Sequence, residues 1–169
     1  WTQQPGLACT VMVADCLPVL LCDEQGHWVA AAHAGWRGLA GMQGQGVLES
    51  LWQQLQIQGA VASRTCAWLG PCIGPLAFEV GAEVREAFVQ DGLALDAFFT
   101  PEANGRFLAD LAGLARWRLQ QLGIGQFEGN SSQPEWCTVA QPSRFFSHRR
   151  DSRVLGTTGR MAACIWLAR

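Results

Sequence analysis

Two apolar runs, residues 7–14 and 19–22, flank the break Asp15-Cys16-Leu17-Pro18, and this arrangement constrains the fold more than any other stretch. Runs that are apolar almost throughout, rather than alternating with polar residues, predict strands of a sheet covered on both faces. Residues 7–14 read as a buried strand. Proline cannot donate to a central ladder, so Pro18 predicts an interruption and a restart at Val19. Asp23-Glu24-Gln25-Gly26 has the composition of a turn. Residues 28–32 read as a third strand with His33 at its end. An acid and a thiol at one strand break, and an imidazole at another strand end seventeen residues later, predict a site carried on a sheet.

Residues 35–46 hold five glycines and give way to residues 47–55, where Val47, Leu48, Leu51, Trp52 and Leu55 fall at helical spacing. The glycines of residues 41–46 lack the spacing of a dinucleotide fingerprint and read as a flexible loop. Residues 65–69 predict a strand. Gly70-Pro71-Cys72-Ile73-Gly74-Pro75 is a rigid loop that either walls a pocket or turns the chain. Residues 78–80 continue extended, and residues 82–90 read as a helix with Val84, Ala87 and Phe88 inward. Residues 98–107 read as loop. The strongest helical signal is residues 108–122, with Leu111, Leu114, Ala115, Leu119 and Leu122 on one face and Gly123 as the stop. A short strand at 126–128, an irregular polar stretch at 129–144 and a closing strand at 161–167 follow. Strands and helices mix without strict βαβ alternation, which predicts an α+β, mixed-sheet α/β fold. Residues 1–169 read as a single domain with no repeat or linker.

The chain is 49% hydrophobic and 15% charged, enough to bury a core. Its net charge of −2 gives no footprint for nucleic acid, and no basic helix points to a membrane surface. No apolar run reaches the roughly 18 residues of a membrane span. All twelve basic residues are arginines, so neither a Schiff-base lysine nor a P-loop lysine exists in this chain. The seven cysteines are odd in number, and Cys9, Cys16, Cys22 and Cys164 lie in strand-like runs where cysteine serves as a small hydrophobe. The expectation is a reduced, cytoplasmic protein. The first residue is Trp1 rather than Met, close before a strand-like run, so the chain reads as lacking an N-terminal segment.

Cys16 reads as a metal ligand, a nucleophile or a buried core thiol. Asp15 needs a partner in so apolar a setting, and one reading has it orienting a histidine or a metal-bound water. His33, ahead of Gly35 and Gly38, reads as exposed at a strand end. A thiolate and an imidazole make part of a zinc site; catalytic zinc usually takes three protein ligands, and no third is obvious here. His27, at a turn, reads as a surface residue. Arg37, ahead of a helix, reads as an anion site or a surface salt bridge. Arg149 and Arg150 add a second cationic point, or an internal ion pair to Asp151.

Ala14-Asp15-Cys16-Leu17-Pro18-Val19-Leu20, His33-Ala34-Gly35-Trp36-Arg37-Gly38, Gly70-Pro71-Cys72-Ile73-Gly74-Pro75 and Phe145-Phe146-Ser147-His148-Arg149-Arg150-Asp151 occur in one order along the chain. On these four motifs it resembles the YfiH-like laccase-domain proteins, which were named multicopper polyphenol oxidases and are described as purine nucleoside phosphorylases. The resemblance runs from about Gly6 to Leu167. It implies an α/β/β/α layered fold shared with bacterial deamidating toxins. It also implies one zinc, held by Cys16, His33 and an upstream histidine in a Gln-Val-His-Gly segment that this sequence does not contain. Asp15, Cys16 and His33 are then the catalytic candidates. His148 departs from the family, which commonly has tyrosine there, and the glycine-rich residues 42–45 are extra.

The activities implied are phosphorolysis of adenosine, inosine and methylthioadenosine, and adenosine deamination, with purine nucleoside and phosphate as partners. A metal-activated water suits deamination at purine C6. Arg37 with Arg149 or Arg150 would form the phosphate site, and Trp36 is available to stack on the base. Two competing readings are a metal-free hydrolase or deamidase, with Cys16 as nucleophile and His33 as base, and a non-catalytic metal-binding protein. Copper-dependent polyphenol oxidation is the weakest reading, because several copper sites need mainly imidazole and the chain has three histidines. A monomer or small homo-oligomer is expected.

Overall fold

The computed structural model describes residues 1–89 and 93–168. In chain order β1 (Ala8–Val13), β2 (Leu17–Asp23) and β3 (Val29–Ala34) come first, then α1 (Trp36–Ala40), α2 (Val47–Ile57) and β4 (Thr65–Leu69). They are followed by β5 (Glu79–Val80), α3 (Ala82–Val89), β6 (Phe99–Pro101), β7 (Phe107–Ala109), α4 (Leu111–Gln121), β8 (Gln126–Gly129), α5 (His148–Leu155) and β9 (Met161–Trp166).

β2 is the pivot. It pairs antiparallel with β3 and β4, and β8 joins β4 in parallel, giving the order β3-β2-β4-β8. Side chains along a strand alternate between faces. Leu17, Val19 and Leu21 are fully buried in the core that α2 and α4 fill with Leu48, Trp52, Leu55, Leu114 and Leu119. Pro18 and Leu20 point the other way, toward a β1–β9 ribbon, and share a gap with Val13, Met161 and Cys164. Helices cover one face and the ribbon the other, which is why β2 reads as continuously apolar. The fold is mixed α/β, as expected.

Several local expectations change. Pro18 lies inside β2, opposite His33. The carbonyl of Gly70, across from it, accepts instead from the Asn130 side-chain amide at 2.9 Å, while Gly70 donates to the Pro18 carbonyl at 2.9 Å. The donor that proline lacks is thus replaced from β8's end. β1 is not a buried strand: only Val13 is buried, because β1 pairs with β9 alone and its outer face is open. Residues 98–107 hold β6 and the start of β7, which pair with β5 as a small sheet of order β5-β7-β6. The helix expected from residue 108 starts at Leu111; Asp110 caps it by accepting from the Gly113 N–H at 2.9 Å. α3 ends at Val89, and Gln90, expected as its last residue, lies outside the described residues. Residues that read only as compact and charged form α5. Its Ser147 hydroxyl accepts from the Arg150 N–H, and the Asp151 carboxylate accepts from the Ser147 N–H, both at 3.1 Å.

Candidate functional site

Strand pairing turns the seventeen-residue step into adjacency. Cys16 directly precedes β2, and His33 is the penultimate residue of β3, in register with Pro18. Gly35 lets the two side chains converge. A Cβ placed there would lie 2.9 Å from the Cys16 Sγ and 3.9 Å from the His33 Nε2. The sulfur and the nitrogen are therefore no farther apart than those two distances combined. Cys16 is half-buried and His33 is exposed. Trp36, Arg37 and Gly38 line an open pocket of ≈ 260 Å³ with the pair.

Arg37 is not ahead of a long helix. It is the second residue of α1, five residues long, and its guanidinium sits 4.4 Å from the centre of the Trp36 ring. The charge is held at the pocket rim by a cation–π contact rather than by a helix N-terminus.

Cys16 and Trp36 also line an adjoining pocket of ≈ 180 Å³ with Asp15, Phe78, His148 and Arg149. The Arg149 guanidinium lies 5.7 Å from the Phe78 ring and donates to the Glu79 carbonyl at 3.1 Å. His148, legible in the sequence only as a departure from a motif, opens α5 and faces this pocket. Ile73 lines it too, so the Gly70–Pro75 loop walls a pocket rather than merely turning the chain.

Arg150 is spent on the fold. Its guanidinium donates to both Asp151 carboxylate oxygens at 2.6 and 2.9 Å, to the Thr138 carbonyl at 2.7 Å, to the Val139 carbonyl at 3.4 Å and to the Phe145 carbonyl at 2.9 Å. An arginine has five N–H donors, and all are used. The expectation that Arg150 contributes to a phosphate site is corrected; Arg37 and Arg149 remain.

Asp15 is buried and adopts φ 81°, the left-handed region that Asp tolerates better than most residues. One carboxylate oxygen accepts from the Thr138 hydroxyl at 2.6 Å, and the other from the Arg149 backbone N–H at 2.6 Å. Its carbonyl accepts from the Ile73 N–H at 2.9 Å. The carboxylate thus turns to Thr138 and α5 rather than to a histidine. Through its carboxylate and its carbonyl together, Asp15 ties the entry of β2 to α5 and to the Gly70–Pro75 loop. Thr138 is fully buried in a stretch that read as irregular, and nothing local in the sequence marked it. His27 is a surface residue, as expected, with Nδ1 2.7 Å from Asp23.

Burial pushes the Cys16 thiol above its ordinary range; the Asp15 charge adds to this and Arg160 opposes it. A cation at the sulfur would reverse that balance. A soft thiolate beside an imidazole is a donor set that fits zinc. The pair offers two of the three protein ligands of a catalytic site: among the described residues no group of three or more His, Cys, Asp or Glu is placed to hold a metal. All seven cysteines are free, and among the described residues no helix is long and apolar enough to cross a membrane.

Residues 1–168 match the family described as multi-copper polyphenol oxidoreductase laccase. A purine nucleoside phosphorylase of Pseudomonas aeruginosa is 49% identical over 168 residues, covering 99% of this chain and 63% of that protein. The purine nucleoside phosphorylase YfiH of Escherichia coli is 47% identical, over 99% of this chain and 62% of the relative. An adenosine deaminase from an unknown prokaryotic organism is 36% identical over 88% of this chain and 55% of its own length. Among solved structures, a Neisseria meningitidis protein superposes with a TM-score of 0.82 at 44% identity, covering 96% of this chain and 61% of that one. Bacillus licheniformis YfiH gives 0.85 at 32% identity, covering 98% and 59%. The chain spans about three-fifths of the length of most of these relatives.

Proposed function

Since the chain belongs to the multi-copper polyphenol oxidoreductase laccase family, we propose that it processes purine nucleosides at the Cys16–His33 cleft, using zinc. The reactions proposed are phosphorolysis of adenosine, inosine and methylthioadenosine, and deamination of adenosine. The observation that carries this reading is the convergence of the Cys16 Sγ and the His33 Nε2 on Gly35, at a cleft with a cation on either side.

Cys16 and His33 would hold the zinc. Zinc bound there would supply Lewis-acid activation. The remaining work falls to the chain. Arg37 and Arg149 bind and orient phosphate as charge-assisted donors. Trp36, already stacked with Arg37, offers its ring to the base. Asp15 reaches no substrate; it positions Arg149 through the backbone and fixes the corner that presents Cys16. The purine nucleoside phosphorylase and adenosine deaminase names of the relatives support the substrate class.

The metal-free hydrolase reading asks Cys16 to be a thiolate near neutrality, and burial and Asp15 act against that. Copper oxidase chemistry asks for more imidazoles than three histidines provide. The test is to measure bound zinc and copper, then incubate the protein with adenosine or inosine, with and without phosphate. Free base and ribose 1-phosphate formed only with phosphate, and ammonia from adenosine, are the expected products. Turnover that survives complete metal removal would favour the hydrolase. Retained zinc with no turnover would leave a metal-binding protein.

A further inference from the structure

A second pair of thiols lies at the far end of β2. In the β2–β4 register Cys22 stands directly opposite Cys66. Alternation places both on the face of Leu20 and Trp68, away from the helices. Both are half-buried and reachable from solvent. The ladder is bracketed by Gly70 donating to the Pro18 carbonyl and Glu24 donating to the Arg64 carbonyl, each at 2.9 Å. That phase makes Cys22 and Cys66 a hydrogen-bonded pair, for which Cα atoms stand about 5.5 Å apart. Disulfides accept Cα separations of about 4.4–6.8 Å. The Cβ atoms of a hydrogen-bonded cross-strand pair, in the upper part of about 4.5–5.5 Å, lie beyond the about 3.5–4.5 Å of a relaxed disulfide, so the bond forms only as the strands shift toward each other.

We propose that Cys22 and Cys66 are a redox modification site: a reversible cross-strand disulfide formed by exchange with a small disulfide of the glutathione type. The thiolate of one cysteine attacks a sulfur of the oxidised reagent and expels one reduced thiol, leaving a mixed disulfide. The second cysteine gives up its proton and attacks the protein-side sulfur, expelling a second reduced thiol. Two protein thiols are oxidised and one reagent disulfide is reduced, so electrons and protons balance. Closing the pair draws the strands together, and a strained bond of this kind is readily reduced.

Among the described residues no other two cysteines stand opposite each other in a strand ladder. Cys72 and Cys137 are bridged neighbours, but both are buried. Burial pushes the thiols of Cys22 and Cys66 up; the facing Cys66, Asp23 and Glu24 add to it at Cys22, and Glu128 and Glu24 add to it at Cys66. Exchange is therefore slow at neutral pH and speeds up as pH rises. The pair lies about 20 Å from Cys16 along β2, at ~3.3 Å per residue, so the site does not depend on the function proposed for the cleft.

The test is to incubate the protein with reduced and oxidised glutathione at stepped ratios, quench with acid, alkylate and map the peptides. An intramolecular Cys22–Cys66 link, lost on adding dithiothreitol, is expected as the first protein disulfide. Cys22→Ser and Cys66→Ser should each leave the remaining cysteine as a glutathione adduct. Independent glutathione adducts on both cysteines of the unmutated protein would overturn the proposal. So would two free thiols when other cysteines of the folded chain are already oxidised.

Discussion

Two buried charges hold this molecule together in similar ways, and only one of them belongs to the cleft. Arg118, on α4, is 3% exposed. It donates to the Ala40 carbonyl at 3.2 Å, the Gly44 carbonyl at 3.2 Å and the Glu49 carboxylate at 3.1 Å. It ties α4 to the start of α2 and to the turn after α1, and none of these partners lines the cleft. Asp15 is also buried, and its carboxylate is answered by one hydroxyl and one backbone N–H. Its own backbone, however, sits at φ 81°, and its neighbours Cys16 and Arg149 face the cleft. A charge that organises a rigid layer can rest on relaxed helical backbone. A charge that aims reactive groups sits where the backbone is held in an uncommon conformation by its surroundings.

The largest expected effect is at the Arg118 junction. Removing one partner of a buried ion pair typically costs about 3–5 kcal/mol. Arg118→Met should lower the urea midpoint accordingly, with the denaturant slope unchanged and bound zinc per folded molecule retained. Loss of zinc from the folded variant would mean that the two junctions are not separate. The next effect is on the adjacent arginines of α5. Losing a hydrogen bond to a charged group costs about 1.5–3 kcal/mol, so Arg149→Gln should raise the KM for phosphate roughly tenfold to a hundredfold, with little change in stability. Arg150→Gln should do the reverse. Equal effects on KM would return Arg150 to the cleft.

Thr138→Val leaves an Asp15 oxygen unpaired, a loss of about 1–3 kcal/mol. Because Asp15 positions Arg149, the KM for phosphate should rise more than kcat falls, and Thr138→Ser should restore both. Stability loss with unchanged kinetics would make the Asp15 junction as purely structural as that of Arg118. The smallest effect concerns Asp151, whose carboxyl is held below the usual range, chiefly by the Arg150 guanidinium and then by the Ser147 N–H. A lowered folded-state pKa gives stability that is present above the unfolded carboxylate pKa and lost as pH falls through the folded value. Asp151→Asn should therefore be less stable than the parent at neutral pH, and the gap in thermal midpoint should close as the pH drops toward the folded value. A gap that widens on acidification would contradict the assignment.

What was legible in the sequence follows from the range of each interaction. β2, β4 and the middle of α4 showed because burial on both faces, or on one helical stripe, leaves an apolar pattern. Of the small β5-β7-β6 sheet only β5 showed, as an extended stretch; β6 and β7 did not, since strands of three residues carry no period. α5 was missed because its first turn reads as charge, although the Ser147–Arg150 and Asp151–Ser147 cap bonds were encoded in the residues present. In the cleft, Cys16, His33 and Arg37 stood out as chemistry in motifs. The partners of Asp15 did not, because Thr138 lies 123 residues away and Arg149 contributes its backbone rather than its side chain.

The central claim is that Cys16 and His33 share one metal ion. Titrating the metal-free protein with Co²⁺ reads this directly through thiolate-to-cobalt charge-transfer absorption in the near ultraviolet. One equivalent should produce that band, zinc should displace it, and His33→Ala should weaken it. Cys16→Ala should abolish it while the far-ultraviolet circular dichroism stays that of the folded chain. A charge-transfer band of unchanged strength in folded Cys16→Ala would place the metal elsewhere and contradict the account.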